Sequence, residues 1–371
     1  MNGVSNSDIS AIILAAGFSS RMHQYKPLLN CGNKSMLETV IDLFKINHIN
    51  DIIVVTGFNK NLLTPLITKN NAQPVFNADF ESGMLSSIKT GIKNIKPDSA
   101  GFLLLPVDIP AIRPSTIGQI IQKFKNFKTN IIMPYFNDLS GHPPLIPCSL
   151  KTQILKLGIN SSLRDLFVSQ KNLILPLNIL DHGILMDADD KKGYENIYNK
   201  IMNINIPDKK ECLAIIDQYL PGQTEIQNHL KSVAQTAVKI AEAITDNVNK
   251  TLITAGALLH DIQRKKKKHA LAGAELLAEM GFTEVSNIIA QHMDINLNID
   301  APINEKEIVY FADKIHNGEN LDLNYEKRFK TNQKKFPHAK TNIIQRYENT
   351  KLIQARLEKS AGKSIGAILS E

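Results

Sequence analysis

The stretch ISAIILAAGFSSRM, residues 9–22, decides the fold of the first half of the chain. It opens with Ile9–Leu14, a continuous apolar run of the kind found in parallel strands that are buried on both faces. Three small residues follow, Ala15, Ala16 and Gly17, and they allow a ligand to approach the backbone closely where the strand ends. Open α/β sheets bind their ligands at this end of the strands. The stretch therefore predicts a first strand followed by a ligand-binding loop.

Strand-like and helix-like segments alternate along the rest of this half. The further predicted strands are Asp51–Val55, Pro74–Phe76, Gly101–Leu105 and Asn130–Met133. The predicted helices between them include Leu37–Ile46, Met84–Asn94 and Pro114–Phe124. Ser35 and Glu38 have the spacing of a capping box at the start of the first helix. Because short parallel strands alternate with helices, we predict a doubly wound α/β sheet.

The second half changes character after about Ile206–Pro207, where strand signals nearly vanish. Apolar residues recur there at helical spacing. The predicted helices are Gln227–Ile244, Thr251–Ile262, Ala270–Met280, Glu284–Gln291 and Lys306–His316. We therefore predict an α/β domain over residues 1–204 and an all-α domain over residues 205–371. The lysine- and arginine-rich tail from Lys327 is predicted to be a solvated helical face.

The composition favours a globular protein of a reducing compartment. Hydrophobic residues make up 43% of the 371 residues, enough for two packed cores, and the three cysteines form no CxxC pair. No signal peptide is evident, and no window approaches the roughly 20 apolar residues of a membrane span, so we expect a cytoplasmic protein without a membrane partner. The net charge of +7 fits either solvated surfaces or attraction for nucleotides. Nucleic acid is disfavoured because aromatic residues are only 6% and are not interleaved with basic ones.

Charged residues near the predicted strand ends suit a nucleoside triphosphate and a metal ion. Arg21 offers a fork for phosphate oxygens and Lys26 offers a point charge, although both also fit a tight turn with two surface cations. Asp108 ends a buried strand, and one carboxylate plus substrate phosphates commonly holds Mg²⁺. In the later acidic cluster Asp187-Ala188-Asp189-Asp190, we expect Asp190 to cap a helix and Asp187 or Asp189 to face the metal.

These motifs together resemble the molybdenum-cofactor cytidylyltransferase family, within the nucleotidyltransferases of Rossmann-like fold, over roughly residues 9–201. The segments that carry the resemblance are Leu14–Met22, Lys26–Leu29, Asn77–Ser87, Gly141–Pro144 and Leu157–Leu166. It implies nucleotidyl transfer with release of pyrophosphate, from CTP or another nucleoside triphosphate to molybdopterin or another phosphorylated acceptor, with Mg²⁺ held by Asp108, Asp187 and Asp189. Arg21, Lys26 and Asp108 would be catalytic. The implied nucleotide-binding residues are Leu14, Ala15, Ala16, Gly17, Arg21, Lys26, Asn77, Gly83, Ser86 and Asp108. A sugar- or polyol-phosphate acceptor is the alternative.

Histidine and aspartate residues form the second constellation. His229, the adjacent pair His260–Asp261, and Asp313 lie on successive predicted helices. A lone histidine on a helix is usually structural or superficial, but neutral imidazoles and carboxylates in one set suit Mn, Fe or Mg ions. The ordered set resembles the HD superfamily of metal-dependent phosphohydrolases over roughly residues 210–325, which implies that these four residues bind a metal and that Asp261 is catalytic.

Two further histidines extend that resemblance. His269 and His292 lie in segments that look like those of bacterial HD hydrolases acting on dinucleoside polyphosphates and related nucleotides, where the extra histidines help to hold a second metal. The basic run Arg264–Lys268 fits either a phosphate-facing loop or a solvated one. The whole chain is therefore predicted to be a bifunctional enzyme with a nucleotide substrate in each half. The alternative for the helical half is a regulatory module that senses a nucleotide without cleaving it.

Overall fold

The computed structural model describes residues 5–18 and 24–370 of the chain. It divides into two compact units, residues 1–204 and 205–371. None of the helices in the described ranges is both long and apolar enough to cross a membrane.

The first unit is built on an eight-stranded sheet with the order β10-β7-β9-β6-β1-β4-β5, in which β8 pairs with β7. Two-residue strands β2 and β3 form a separate hairpin. The strands are β1 Ile9–Ala15, β2 Asn30–Cys31, β3 Lys34–Ser35, β4 Asp51–Thr56, β5 Gln73–Phe76, β6 Gly101–Pro106, β7 Ile131–Phe136, β8 Leu139–Ser140, β9 Leu145–Pro147 and β10 Ile174–Asn178. The helices are α1 Met36–Ile46, α2 Lys60–Lys69, α3 Met84–Asn94, α4 Pro114–Asn126, α5 Lys151–Lys156, α6 Leu163–Ser169 and α7 Lys191–Met202.

The doubly wound α/β sheet is confirmed, and one of its inner strands is antiparallel. Strand β9 lies between β6 and β7 and runs antiparallel to both. It follows β7 after only a short reversal, and a parallel return would need a crossover of about a dozen residues or more. Strands β1, β4, β5, β6, β7 and β10 share one direction. Their carboxyl ends therefore meet at one edge.

Alternation along the strands divides the buried residues between two faces of the sheet. Ile12 and Leu14 of β1 belong to a core cluster with Ile88 and Ile92 of α3 on one face. Helices α1 and α4 contact each other, and they pack against β1 and β7 respectively. The capping box at Ser35 and Glu38 is confirmed, since each side chain meets the backbone N–H of the other.

The second unit is helical except for one short hairpin of β11 His316–Asn317 and β12 Asn320–Leu321. Its helices are α8 Lys209–Tyr219, α9 Thr224–Ala243, α10 Lys250–Leu259, α11 His269–Glu279, α12 Thr283–Ile289, α13 Glu305–Lys314, α14 Tyr325–Lys335, α15 Lys340–Ala361 and α16 Ile365–Ser370. Helices α9, α10 and α13 pack against one another at the centre, where residues such as Ile253, Leu259 and Phe311 are fully buried.

The tail is not a solvated helical face, contrary to the sequence-based prediction. Helix α15 packs against α13 and α14, and it buries Ile353 and Leu357 completely. Phe329 of α14 is only 7% exposed. The apolar residues of this segment are few among many lysines, so the sequence pattern did not reveal them. They are nevertheless enough to pack both helices against the rest of the unit.

Candidate active sites

A cavity of about 300 Å³ lies at the carboxyl ends of β1 and β6. The residues that line it are Leu14, Ala15, Ala16, Gly17, Lys26, Pro27, Phe80, Gly83, Met84, Ser87, Pro106, Val107 and Asp108. Seven of them are among the residues expected to bind nucleotide. The predicted Arg21 lies outside the described residues. Pro27, Phe80, Met84 and Ser87 lie within or beside the quoted motifs, but sequence reasoning did not assign them to the site.

The Lys26 ammonium joins two distant carboxylates at this cavity. Its Nζ lies 3.0 Å from Oδ2 of Asp108 and 2.9 Å from Oδ1 of Asp189. The Lys26 side chain is 12% exposed, whereas that of Asp189 is half exposed. The acidic segment is held beside β6 because the backbone N–H of Ala188 donates to the carbonyl oxygen of Asp108 at 3.0 Å.

The third carboxylate of the set, Asp187, shows that negative charge is in excess here. Burial raises its pKa above the ordinary value, and the charges of Asp189 and Asp108 raise it further. Lys26 counters this only in part. These residues bring three carboxylates together with one ammonium. A divalent cation would reduce the repulsion among the carboxylates. Asp190, as expected, caps α7 by accepting from the N–H of Gly193 at 2.7 Å.

The loop after β5 approaches the same cavity, but its predicted residues divide into two kinds. Gly83 lines the cavity. Asn77 is 3% exposed, and its amide donates to the hydroxyls of Ser86 and Ser87 at 2.8 and 3.0 Å. The Ser86 hydroxyl in turn donates to the carbonyl of Gly83 at 2.8 Å. Asn77 and Ser86 therefore stabilise the conformation of the loop, whereas Gly83 and Ser87 line the cavity.

In the second unit five segments bring six predicted ligands together. His229 lies in α9, His260 and Asp261 follow α10 directly, and Asp313 lies in the last turn of α13. His269 begins α11 and His292 follows α12. The donor atoms of these residues meet in two groups that share Asp261.

The first group contains His229, His260, Asp261 and Asp313. The Nε2 atoms of the two histidines are 3.2 Å apart, and they lie 3.3 and 3.4 Å from Oδ1 of Asp313. Oδ2 of Asp261 lies 4.0 and 3.8 Å from the same two nitrogens. Nitrogen and oxygen donors converge on one small volume, which is the arrangement that a metal ion would need.

The second group uses the other oxygen of Asp261. Oδ1 lies 3.2 Å from Nε2 of His269 and 3.4 Å from Nε2 of His292, and those two nitrogens are 3.2 Å apart. Within each of the two sets of three, His229 with His260 and Asp261, and Asp261 with His269 and His292, the donor atoms all lie within 4.8 Å of one another. A single carboxylate thus stands between two possible ion positions.

Backbone carbonyls fix which nitrogen of three imidazoles faces inward. Nδ1 of His229, His260 and His292 lies 2.7 to 2.8 Å from the carbonyl oxygens of Gly318, Ala257 and Ile289. A carbonyl can only accept, so Nδ1 is the donor in each ring, and in the neutral imidazole that a metal binds the Nε2 lone pair faces the cluster. The Nε2 atoms of His229 and His260 are 3.2 Å apart, so either a shared proton or a metal ion would offset the repulsion between their lone pairs.

The electrostatics of the cluster also favour positive charge. Burial by itself would raise the pKa of Asp261, but the His260 charge and hydrogen bonds from His269 and His292 hold it far below the usual range. Burial lowers the pKa of His260, yet the Asp261 and Asp313 carboxylates outweigh it and leave that pKa raised. The buried carboxylates therefore remain charged and attract cations.

A cavity of about 680 Å³ opens onto this cluster. His229, Asp261 and Asp313 line one side of it. Of the basic run, Arg264 lines the cavity and its guanidinium lies 3.1 Å from Oδ2 of Asp261, whereas the next four lysines are exposed. Sequence reasoning missed Lys314, although it directly follows Asp313 and its ammonium lies 2.5 Å from that carboxylate.

Comparison with known protein families also divides the chain into two parts, in agreement with its two compact units. The family model described as the MobA-like NTP transferase domain matches residues 11–173, and the HD domain model matches residues 226–318. The molybdenum cofactor cytidylyltransferase of Escherichia coli is 32% identical over 39% of this chain and 74% of its own length. A probable molybdenum cofactor guanylyltransferase of Natranaerobius thermophilus is 29% identical over 59% of this chain and 98% of its own.

A third relative is of another kind. The tRNA (cytidine(56)-2'-O)-methyltransferase of Thermoplasma volcanium is 36% identical over 26% of this chain, which spans only 29% of that protein. The two molybdenum-cofactor relatives, by contrast, are matched over most of their length. The chain therefore belongs to the MobA-like nucleotidyltransferase family through its first unit, and its second unit contains an HD domain of the kind typical of phosphohydrolases.

Proposed function

We propose that residues 1–204 transfer a cytidylyl group from CTP to a molybdopterin-type acceptor, and that residues 205–371 hydrolyse a phosphoester of a nucleotide. The first assignment depends chiefly on the Lys26 ammonium, which lies between Asp108 and Asp189 at the strand-end cavity. The identity to a cytidylyltransferase over most of that protein's length supports the choice of CTP.

In this reaction an oxygen of the acceptor's phosphate attacks the α-phosphorus of the triphosphate. The bond from that phosphorus to the bridging oxygen breaks, and pyrophosphate leaves with the electron pair. Mg²⁺, when bound by Asp108, Asp187 and Asp189, would neutralise charge on the transferring phosphoryl group. Lys26 would stabilise the leaving pyrophosphate, and the Ala15–Gly17 loop would admit the phosphates to the end of β1. Positioning and charge therefore carry the step, and little proton transfer is required.

The test is release of pyrophosphate from CTP, Mg²⁺ and purified molybdopterin, with GTP in place of CTP and a polyol phosphate in place of the acceptor. We expect release only with CTP and molybdopterin, and loss of release in Asp108→Ala. Lys34→Ala is the matched control for a Lys26→Ala variant, because Lys34 is a surface lysine that is also paired with an aspartate, Asp42. Turnover with GTP but not with CTP would refute the assignment of CTP as the nucleotide. Turnover with the polyol phosphate but not with molybdopterin would refute the assignment of the acceptor.

For the second unit, the observation that carries the proposal is Asp261, whose two oxygens face two separate groups of imidazoles. The donor set fits two divalent ions such as Mn²⁺, Fe²⁺ or Mg²⁺, and Asp261 would be a ligand in both groups. Such ions, when bound, supply an activated water and polarise the phosphoryl oxygen. Because Nδ1 of His229, His260 and His292 lies against a carbonyl oxygen, Nε2 is the nitrogen of each ring that would face the ions. Arg264 would then be released from Asp261 to contact the substrate's phosphate.

A nucleotide panel with Mn²⁺ tests this assignment. The full chain should release phosphate or a shorter nucleotide from one of the substrates, and His260→Ala and Asp261→Ala should abolish release. Asp300→Ala changes an exposed aspartate away from the cluster and should leave the rate unchanged. Nucleotide binding without turnover by any metal-loaded form would instead indicate a sensing module.

A further inference from the structure

We propose that the segment after the HD hairpin, from α14 through the connection to α15, recognises the planar ring of the second unit's substrate while its phosphate lies at the metal cluster. This inference rests on the proposed phosphohydrolase function. The residues concerned lie beyond residue 318, where the match to the HD model ends. The wall they form is called the terminal wall below and consists of Arg328, Asn332, Phe336, His338 and Arg346.

Two arginines fasten the terminal wall to the segments that carry the metal ligands. The terminal nitrogens of Arg328 donate to the carbonyl oxygens of Lys314 and His316, which lie one and three residues after Asp313. Arg346 makes a bidentate pair with Asp294, at 2.7 and 2.8 Å, two residues after His292. Both links are charge-assisted and specific in direction. The terminal wall is therefore held at a fixed position relative to the cluster.

The other three residues of the terminal wall have no such structural task. The ring of Phe336 is 40% exposed although it lines the cavity, so it is not packed into the core. Within the described ranges, neither the Asn332 amide nor the His338 imidazole makes a hydrogen bond. His338 lies near Phe336 with a ring-centroid distance of 6.3 Å. One open aromatic face with two unused polar groups beside it is suited to a heteroaromatic ring.

The distribution of charge in the cavity determines where the phosphate and the ring of such a substrate would lie. The cavity lining contains four cations, Arg264, Lys314, Arg328 and Arg346, and three carboxylates, Glu225, Asp261 and Asp313. Metals at Asp261 and Asp313 would leave Arg264 and Lys314, which now pair with those two carboxylates, to face a phosphate at the cluster. Phe336 offers no attraction to phosphate, but a nucleobase can stack on it. The occupant is therefore a phosphoester with a planar ring, and an inorganic polyphosphate would make no use of the Phe336 face.

The test compares ATP with inorganic tripolyphosphate as substrates of the full chain with Mn²⁺, and measures AMP binding by calorimetry. In Phe336→Ala the KM for ATP and the Kd for AMP should rise roughly tenfold with kcat little changed, because a stacking contact is lost. The KM for tripolyphosphate should not change. Phe336→Trp should restore both values, because it keeps an aromatic face. Phe127→Ala is the matched control, since Phe127 is 42% exposed and, like Phe336, has a lysine over its ring.

The outcomes distinguish failure of this inference from failure of the proposed phosphohydrolase function. Hydrolysis of ATP with equal KM in wild type and Phe336→Ala would overturn the recognition role and leave the phosphohydrolase standing. AMP binding that depends on Phe336, without hydrolysis of any substrate, would support the recognition role and refute the hydrolase. Preference of the wild type for tripolyphosphate over ATP would also overturn the inference.

Discussion

Because Asp261 faces both imidazole groups, its removal should affect two ions, whereas removal of His269 should affect one. We expect the wild type to bind two Mn²⁺ in the second unit, His269→Ala to retain one, and Asp261→Ala to retain neither tightly. All variants carry Asp108→Ala as well, which removes one of the three carboxylates expected to hold a metal in the first unit and so weakens ion binding there. Inductively coupled plasma mass spectrometry after gel filtration gives the stoichiometry.

The stability change can be estimated from ligand linkage. An ion at a hundred times its Kd stabilises the folded state by about 2.7 kcal/mol, so two ions contribute about 5 kcal/mol. For a domain the size of residues 205–371, 1 kcal/mol shifts Tm by about 2–4 °C. Saturating Mn²⁺ should therefore raise the Tm of this unit by about 10–20 °C in wild type and by about half of that in His269→Ala. In Asp261→Ala the increase should nearly vanish.

Differential scanning calorimetry with and without Mn²⁺ measures these shifts, and each variant serves as its own reference. Comparison within a variant cancels any change that the substitution makes to the metal-free fold. Equal metal content in Asp261→Ala and wild type would refute the shared-carboxylate reasoning. Loss of both ions in His269→Ala would refute the division into two groups.

Three further predictions concern the first unit. Lys26→Ala should lower kcat for pyrophosphate release on the order of 10²-fold, because a charge at the reacting phosphates is lost. Asp181→Ala should cost about 3–5 kcal/mol in urea unfolding, because it leaves the buried Arg113 guanidinium, 3.2 Å from Asp181, without its carboxylate. Gly91→Ala should lower the unfolding free energy by about 1–3 kcal/mol in the same assay, because the new Cβ would lie 2.5 Å from Ile12 Cγ2; an unchanged midpoint would contradict the packing.

Much of the fold could be predicted from local pattern. The apolar run Ile9–Leu14 and the helical spacing of α9 are properties of neighbouring residues, so the sequence displays them directly. Strand β9 was missed because it has only three residues and follows two prolines. The burial of α15 was missed because its apolar residues are few among many charges.

The candidate sites divide in the same way. Chemical identity and adjacency predicted Asp108, the His260–Asp261 pair and the acidic cluster as site residues, and those assignments stay predictions until they are tested. Lys314 and Phe336 were not predicted, because no pattern around them marks a site. Their place on the cavity depends on how α13 and α14 pack.

By itself the sequence determined two units of different architecture and the set of side chains able to bind phosphate or metal, because periodicity and residue type are local. Only the tertiary structure decided which of those side chains meet. It placed the Lys26 ammonium between carboxylates 82 and 163 residues away, and it turned the two oxygens of Asp261 toward different imidazoles. Such contacts arise from the path of the chain and the packing of whole elements, which no short stretch of sequence encodes.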